Sequence, residues 1–291
     1  MELAEENKAL ARREIEEFEG RGDTALGPLL FSADYRLTFG GAPAMDHAGH
    51  VQLLKGLREG FPDLRIKVAE QVATDDRVAN HWIAHGTHRA AFQRIPATGK
   101  AVTFTGNNIM HLAGGRIRAL WGQLDGFGLM TQLGVIPQPV PDYPKGNRSH
   151  ARGEESAASD VVRRFIAKFN AGDKTTVDVE YDESYVLDFP GGPSAAGKAG
   201  IRQATTAFLT AFPDLRFSIE DMFEEGNSVA WRWTMTGTHR GALGPFPASG
   251  RPVRLTGISM TQLSNGKIVF DRVRADMVGL LAQIGVIPAA S

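Results

Sequence analysis

Phe61-Pro62-Asp63-Leu64-Arg65 opens a stretch that passes through Gly86-Thr87-His88-Arg89 and closes on Gln132-Leu133-Gly134-Val135-Ile136-Pro137. The landmarks return as Phe212-Pro213-Asp214-Leu215-Arg216, Gly237-Thr238-His239-Arg240 and Gln283-Ile284-Gly285-Val286-Ile287-Pro288. The spacing holds at about 151 residues, and about 30 of roughly 77 aligned positions are identical. A constant offset over that length means one domain present twice.

Working outward, each copy has the same order of patterns. In the first copy, helical periodicity covers about 1–20, with Leu10, Ile15 and Phe18 on its apolar face, then 26–30 and 47–60. Alternating strand patterns cover 35–39, 64–72, 78–88, 102–112 and 117–125, with Gly114-Gly115 as a tight turn. A short helix at 129–133 ends at Gly134. Helices followed by long hairpins predict an α+β fold. The domain boundaries follow: 1–137, a proline-rich linker at 138–154, and 155–291. Tyr185–Phe189 matches Tyr35–Phe39, with Pro190 as an inserted residue.

The formal net charge of −1 gives no electrostatic reason to expect nucleic acid or an anionic membrane as partner. With no cysteine, disulfides, thiolate nucleophiles and cysteine-bound metals are excluded. Met1–Glu19 lacks the features of a signal peptide, and no apolar run reaches the ~18 residues of a membrane span. A cytoplasmic location is expected.

Phe-Pro-Asp-Leu after a helix, Gly-Thr-His in a long strand, Thr-Gly at 105–106 and 256–257, Gly115-Arg116-Ile117 and Gly266-Lys267-Ile268, a later Asp, then Gln-Leu/Ile-Gly make up an ordered set. In that set each copy resembles the SnoaL-like polyketide and ester cyclases. The resemblance implies two tandem cone-shaped α+β barrels of the nuclear transport factor 2-like type, each with N-terminal helices packed on a curved antiparallel sheet around an apolar pocket. It also implies ring closure by acid/base chemistry with no cofactor.

The resemblance places a general acid/base at Asp125, with Asp276 as its counterpart, and a helping imidazole at His111. A desolvated carboxylate would have its pKa raised toward the operating pH. The bland alternative is an Asp that ends a strand and caps the next helix. Alternation puts Trp121 and Gln123 on the face of Asp125, and Arg272 and Arg274 on that of Asp276. Such guanidiniums would lower the Asp276 pKa, so the first copy is expected to keep the more family-like site. Gln262 replaces His111, and Arg272 replaces Trp121. The expected substrate-binding set is Trp82, His88, Trp121, Gln123, Trp233, His239, Gln262 and Arg272. For the Trp and His pairs, core packing and strand geometry are equal alternatives.

Six of the eight histidines lie between His47 and His111, but their spacing matches no ligand motif. No metal or cofactor is expected. The sequence therefore points to an enzyme closing rings by intramolecular aldol chemistry on a small hydrophobic, polyketide-like substrate. Its two domains are expected to pair as a pseudo-dimer, an arrangement compatible with further homo-oligomers. The alternatives are epoxide hydrolysis or ether-ring closure, which needs two carboxyl groups, and a non-catalytic module that binds a hydrophobic ligand.

Overall fold

The computed structural model describes residues 2–93, 95–136, 158–173, 175–189 and 195–287. The expected linker at 138–154 and the inserted Pro190 lie outside these residues. The chain divides into two compact units, Met1–Gln138 and Pro139–Ser291. Among the described residues no helix is long and apolar enough to cross a membrane.

Unit 1 begins with α1 (Glu2–Arg13), which continues into a π-helical turn at Glu14–Glu19. Ala4, Asn7, Ala11, Glu14 and Phe18 are buried along one stripe of this continuous helix. The short α2 (Gly27–Leu30) leads into β1 (Phe31–Phe39), and α3 (His47–Gly60) follows, its first turn capped by Asp46. Four long strands come next: β2 (Arg65–Ala73), β3 (Arg77–Thr87), β4 (Ala101–Ala113) and β5 (Arg116–Leu124). The closing helix α4 (Gly126–Leu133) starts earlier than its sequence pattern suggests, because Asp125 caps it. The sheet order is β1-β5-β4-β3-β2. Three pairings are antiparallel, and β1 lies parallel to β5. Register shifts at Val68/Glu70 and His111/Leu112 mark bulges, which bend the strands they interrupt.

Unit 2 repeats the plan with α5 (Ala158–Asn170), α6 (Thr176–Glu180), β6 (Tyr181–Asp188), α7 (Gly197–Ala211), β7 (Arg216–Glu225), β8 (Ser228–Thr238), β9 (Pro252–Ser264), β10 (Lys267–Ala275) and α8 (Met277–Ile284). Its sheet order, β6-β10-β9-β8-β7, is the same arrangement. Unlike α1, α5 is α-helical through Asn170, with no π turn.

One face of each sheet carries the core. In unit 1 that inner face presents Val78, Trp82, Ala84, Phe104, Met110 and Leu120 against Ile15 and Phe18 of the first helix and Leu54 of α3. Each fully buried Leu or Phe contributes about 1.5–3 kcal/mol relative to exposure.

The motifs shared by the two copies are staples of this scaffold. Asp63 accepts hydrogen bonds from the Thr87 backbone N–H and hydroxyl, both at 2.7 Å, and Asp214 does the same for Thr238. Phe-Pro-Asp-Leu and Gly-Thr-His are thus two halves of one contact. Gln132 pairs with both backbone groups of Thr103, and Gln283 with those of Arg254, which ties the last helix to β4 or β9.

Gly106 and Gly257 lie directly under Trp82 and Trp233. A Cβ at either position would come within 2.1 Å of the indole. Gly106→Ala and Gly257→Ala should each destabilise their own unit by about 1–3 kcal/mol through overpacking. Urea denaturation checks this; an unchanged midpoint would mean that the indole moves aside freely.

Candidate functional site

The inner face of unit 2 differs from that of unit 1 at two paired positions. Met110 and Leu120 face each other across β4 and β5, and their counterparts across β9 and β10 are Thr261 and Asp271. Strand alternation therefore directs a carboxyl group into the interior, where the other copy places an aliphatic side chain. Asp271 is buried beside Tyr185, which is fully enclosed.

Asp271 is held at both oxygens. The Thr261 hydroxyl donates to Oδ1 at 2.5 Å, and the Tyr185 hydroxyl donates to Oδ2 at 2.9 Å. Thr261 in turn accepts from the Trp231 indole N–H at 3.0 Å, while the Trp233 indole donates to Ser259 at 2.9 Å. Loss of hydration raises the Asp271 pKa to about 6, and the two hydroxyl donors only partly offset that rise. Burial, with the Asp271 charge nearby, pushes the Tyr185 hydroxyl well above its ordinary range, so it remains a neutral donor. The arrangement is a proton acceptor and donor poised near neutral pH, walled by two indoles.

Unit 1 uses the matching tyrosine differently. Tyr35 meets Nδ1 of His50 at 3.0 Å, and Nε2 of the same ring lies 3.1 Å from Glu19. His50 is buried, and Ile201 stands at its place in α7. Glu14, Glu19, Tyr35, Tyr185, Thr261 and Asp271 were not singled out for chemistry from the sequence, and His50 only as one of the clustered histidines whose spacing matches no ligand motif. Two signals were present: an Asp in one copy opposite Leu in the other, and an acidic residue on the apolar stripe of the first helix.

The residues expected from the sequence fall into three groups. Asp125 and Asp276 occupy equivalent N-cap positions, accepting from Gly128 N–H at 2.7 Å and Gly279 N–H at 2.9 Å. The expected approach of His111 to Asp125 does not occur. A two-residue turn pairs His111 with Ala119, whereas Asp125 hydrogen-bonds through its backbone to Thr105. Six residues of β4 separate those rungs, roughly 20 Å of strand. His111 instead packs edge-on against Trp121, with ring centroids 4.7 Å apart, near Asp76. Trp121 and Gln123 stand on the sheet face opposite the core cluster. Gln262 pairs with Phe270 and is half-buried. Arg272 and Arg274 both bond Asp188, each at 3.0 Å. Trp82 and Trp233 belong to the core face. His88 and His239 hold the loops that follow β3 and β8: Nδ1 of each accepts from the backbone N–H of Thr98 or Ser249. The structure thus gathers Asp271, Tyr185, Thr261, Trp231 and Trp233, and disperses most of the expected set.

Two stability predictions follow from this geometry. Asp125→Ala should cost unit 1 about 1 kcal/mol, the usual value of an N-cap, measured by urea denaturation. Asp271 carries the opposite signature. Its pKa is raised in the fold, so the folded state holds the extra proton between about pH 4 and 6. Its contribution is fully present below pH 4 and is lost as pH rises through about 6. Between pH 4 and 8 the wild type should lose roughly 3 kcal/mol relative to Asp271→Asn. Parallel denaturation curves at both pH values would show otherwise.

The family model of the SnoaL-like polyketide cyclases matches residues 9–133 and again 159–284. Among solved structures, the chain is similar to a candidate SnoaL-like polyketide cyclase from Jannaschia sp. CCS1, with 19% identity over 47% of this chain and 99% of that one, at a TM-score of 0.43. TsrD from Streptomyces laurentii shows 25% identity over 46% of this chain and 100% of its own, at a TM-score of 0.42. IdmH from Streptomyces antibioticus, a candidate polyketide cyclase, shows 27% over 45% and 99%, at 0.40. No curated protein matches the chain. With both copies matched by one family model, the chain belongs to the SnoaL-like polyketide cyclase family, as two tandem members in one polypeptide.

Proposed function

We propose that the chain is a ring-closing enzyme working by cofactor-independent acid/base catalysis on a polyketide-like substrate, with Asp271 as the group that moves the proton. The observation that carries this is the burial of Asp271 at a pKa of about 6, between two hydroxyl donors. Unit 1 builds the same sheet with Leu120 and Met110 at those places, so the fold does not require a buried acid there. A costly group that the scaffold can do without is a functional-site signal.

In the aldol reading, ionised Asp271 removes a proton from the carbon next to a substrate carbonyl. The resulting enolate carbon attacks a second carbonyl of the same molecule and forms the ring bond. The proton on Asp271 then passes to the new alkoxide, which leaves the carboxylate as it began. Tyr185 and Thr261 fix the carboxylate, and the tilted indoles of Trp231 and Trp233 add apolar aromatic surface on the same sheet face, suited to a conjugated chain. This assignment replaces the pair of Asp125 with His111.

Ether-ring closure on an epoxide is less well supported, because it calls for a second available carboxyl. The other buried acid among the described residues of unit 2 is Glu180, which is neutralised by Arg164 and Lys168, both at 2.9 Å.

Asp271→Asn should lower turnover about 10²–10⁴-fold with the fold intact by circular dichroism. In the wild type, kcat/KM should rise with pH through about 6, as the base ionises. Asp125→Asn, at a helix cap, should keep most activity. Full turnover by the Asp271 variant, followed spectrophotometrically on a ring-forming polyketide ester, would end the assignment.

A further inference from the structure

Unit 1 contains a second buried cluster that the proposed chemistry leaves unused. The π turn at Glu14–Glu19 places these two residues at its first and last positions. Hydrogen bonding from i to i+5 stacks residues five apart, as in Gly20 N–H to Ile15 O at 2.9 Å. In a regular α-helix, residues five apart diverge by about 140° around the axis. The turn therefore brings two carboxyl groups to one side, facing His50 from α3. One ligand-type atom from each of Glu14, Glu19 and His50 lies within 4.8 Å of the others.

Three features distinguish this from a chance meeting of acids. Glu14 is completely buried, and neither carboxyl oxygen meets a donor from the chain. The group facing it is the Glu19 carboxyl, so two acids and the His50 ring converge on one buried point. His50 is buried with Nε2 toward the acids and Nδ1 against the Tyr35 hydroxyl. That is how ligating imidazoles are set, one nitrogen to the metal and the other fixed by a hydrogen bond. Among its described residues unit 2 has none of this: α5 buries only Ala158, Val161, Val162, Ile166 and Phe169, and Ile201 replaces His50.

We infer that Glu14, Glu19 and His50 form a binding site for a single divalent first-row transition ion, with Tyr35 as the residue that orients the imidazole. One imidazole nitrogen and two carboxylate oxygens suit Zn²⁺, Mn²⁺ or Fe²⁺. The ion would satisfy the two Glu14 carboxyl oxygens that meet no donor from the chain. Glu19, whose side chain is 19% exposed, lies on the entry side. No ligand motif marks the site, because its spacing spans a helical irregularity and two separate helices. The site is independent of Asp271.

The test uses full-length, tag-free protein dialysed against a chelator and titrated with Zn²⁺, and separately with Mn²⁺, by calorimetry and thermal denaturation. One ion per chain should bind, with a rise in Tm. Glu14→Gln and His50→Gln should each weaken binding at least 100-fold, and Tyr35→Phe about 10-fold or more. Asp271→Asn should bind like the wild type. No saturable uptake of either ion by folded wild type, or uptake that survives both ligand substitutions, overturns the site. Should a substitution impair folding, the Co²⁺-loaded wild type decides: a visible ligand-field spectrum shifted from that of the aqueous ion supports the site, and the unshifted spectrum of aqueous Co²⁺ rejects it.

Discussion

A phenol hydroxyl sealed inside an apolar core must find a hydrogen-bond partner or leave that core at considerable cost. Tyr35 and Tyr185 impose this requirement on the two units, since each is essentially without solvent contact. The copies answer it from opposite sides. Unit 1 supplies an imidazole from the helical layer, and unit 2 supplies a carboxylate from the sheet. Every other buried polar side chain in these networks follows from that choice. His50 draws in Glu19, and Asp271 draws in Thr261 and, through it, Trp231. The same duplicated scaffold thus carries two unrelated polar interiors.

This division explains why the shared motifs say little about chemistry. Asp63 with Thr87, Gln132 with Thr103, and the imidazole of His88 on the Thr98 backbone all close loops or dock the last helix. Their equivalents in unit 2 do the same. They persist because the backbone needs them at both places. Residues that differ between copies carry the individuality, and the exchange of Leu120 for Asp271 is the sharpest, because it reverses the polarity of an interior position.

The fold was legible because its signals are local and doubled. Period-two strands, tight hairpin turns and Asp-capped closing helices occur twice in one order, whereas the parallel placement of β1 beside β5 and the π turn of the first helix lay beyond pattern reading. The interior sites were less legible for two physical reasons. On β10, alternation separates Arg272, Arg274 and Asp276 from Asp271, and the family resemblance drew attention to the first group while the core lies with the second. On the first helix, Glu14 sits among Arg13, Glu16 and Glu17, so it looks solvated until the stripe of Ala4, Asn7, Ala11 and Phe18 is seen to include it. His111 illustrates a simpler limit. A tight turn fixes partners by counting, and the count sends it to Ala119 rather than to Asp125.

The π turn of unit 1 makes the winding of the helix, as well as side-chain identity, the quantity that joins Glu14 to Glu19. Rewound as a regular α-helix of the same sequence, the segment would hold the two residues about 140° apart around the axis, with one carboxyl turned away from the other. The adjacency of the two acids is therefore a property of one wide turn of backbone. Between tandem copies that share a fold, a change in the winding of a single turn is enough to make or unmake a cluster of buried charge.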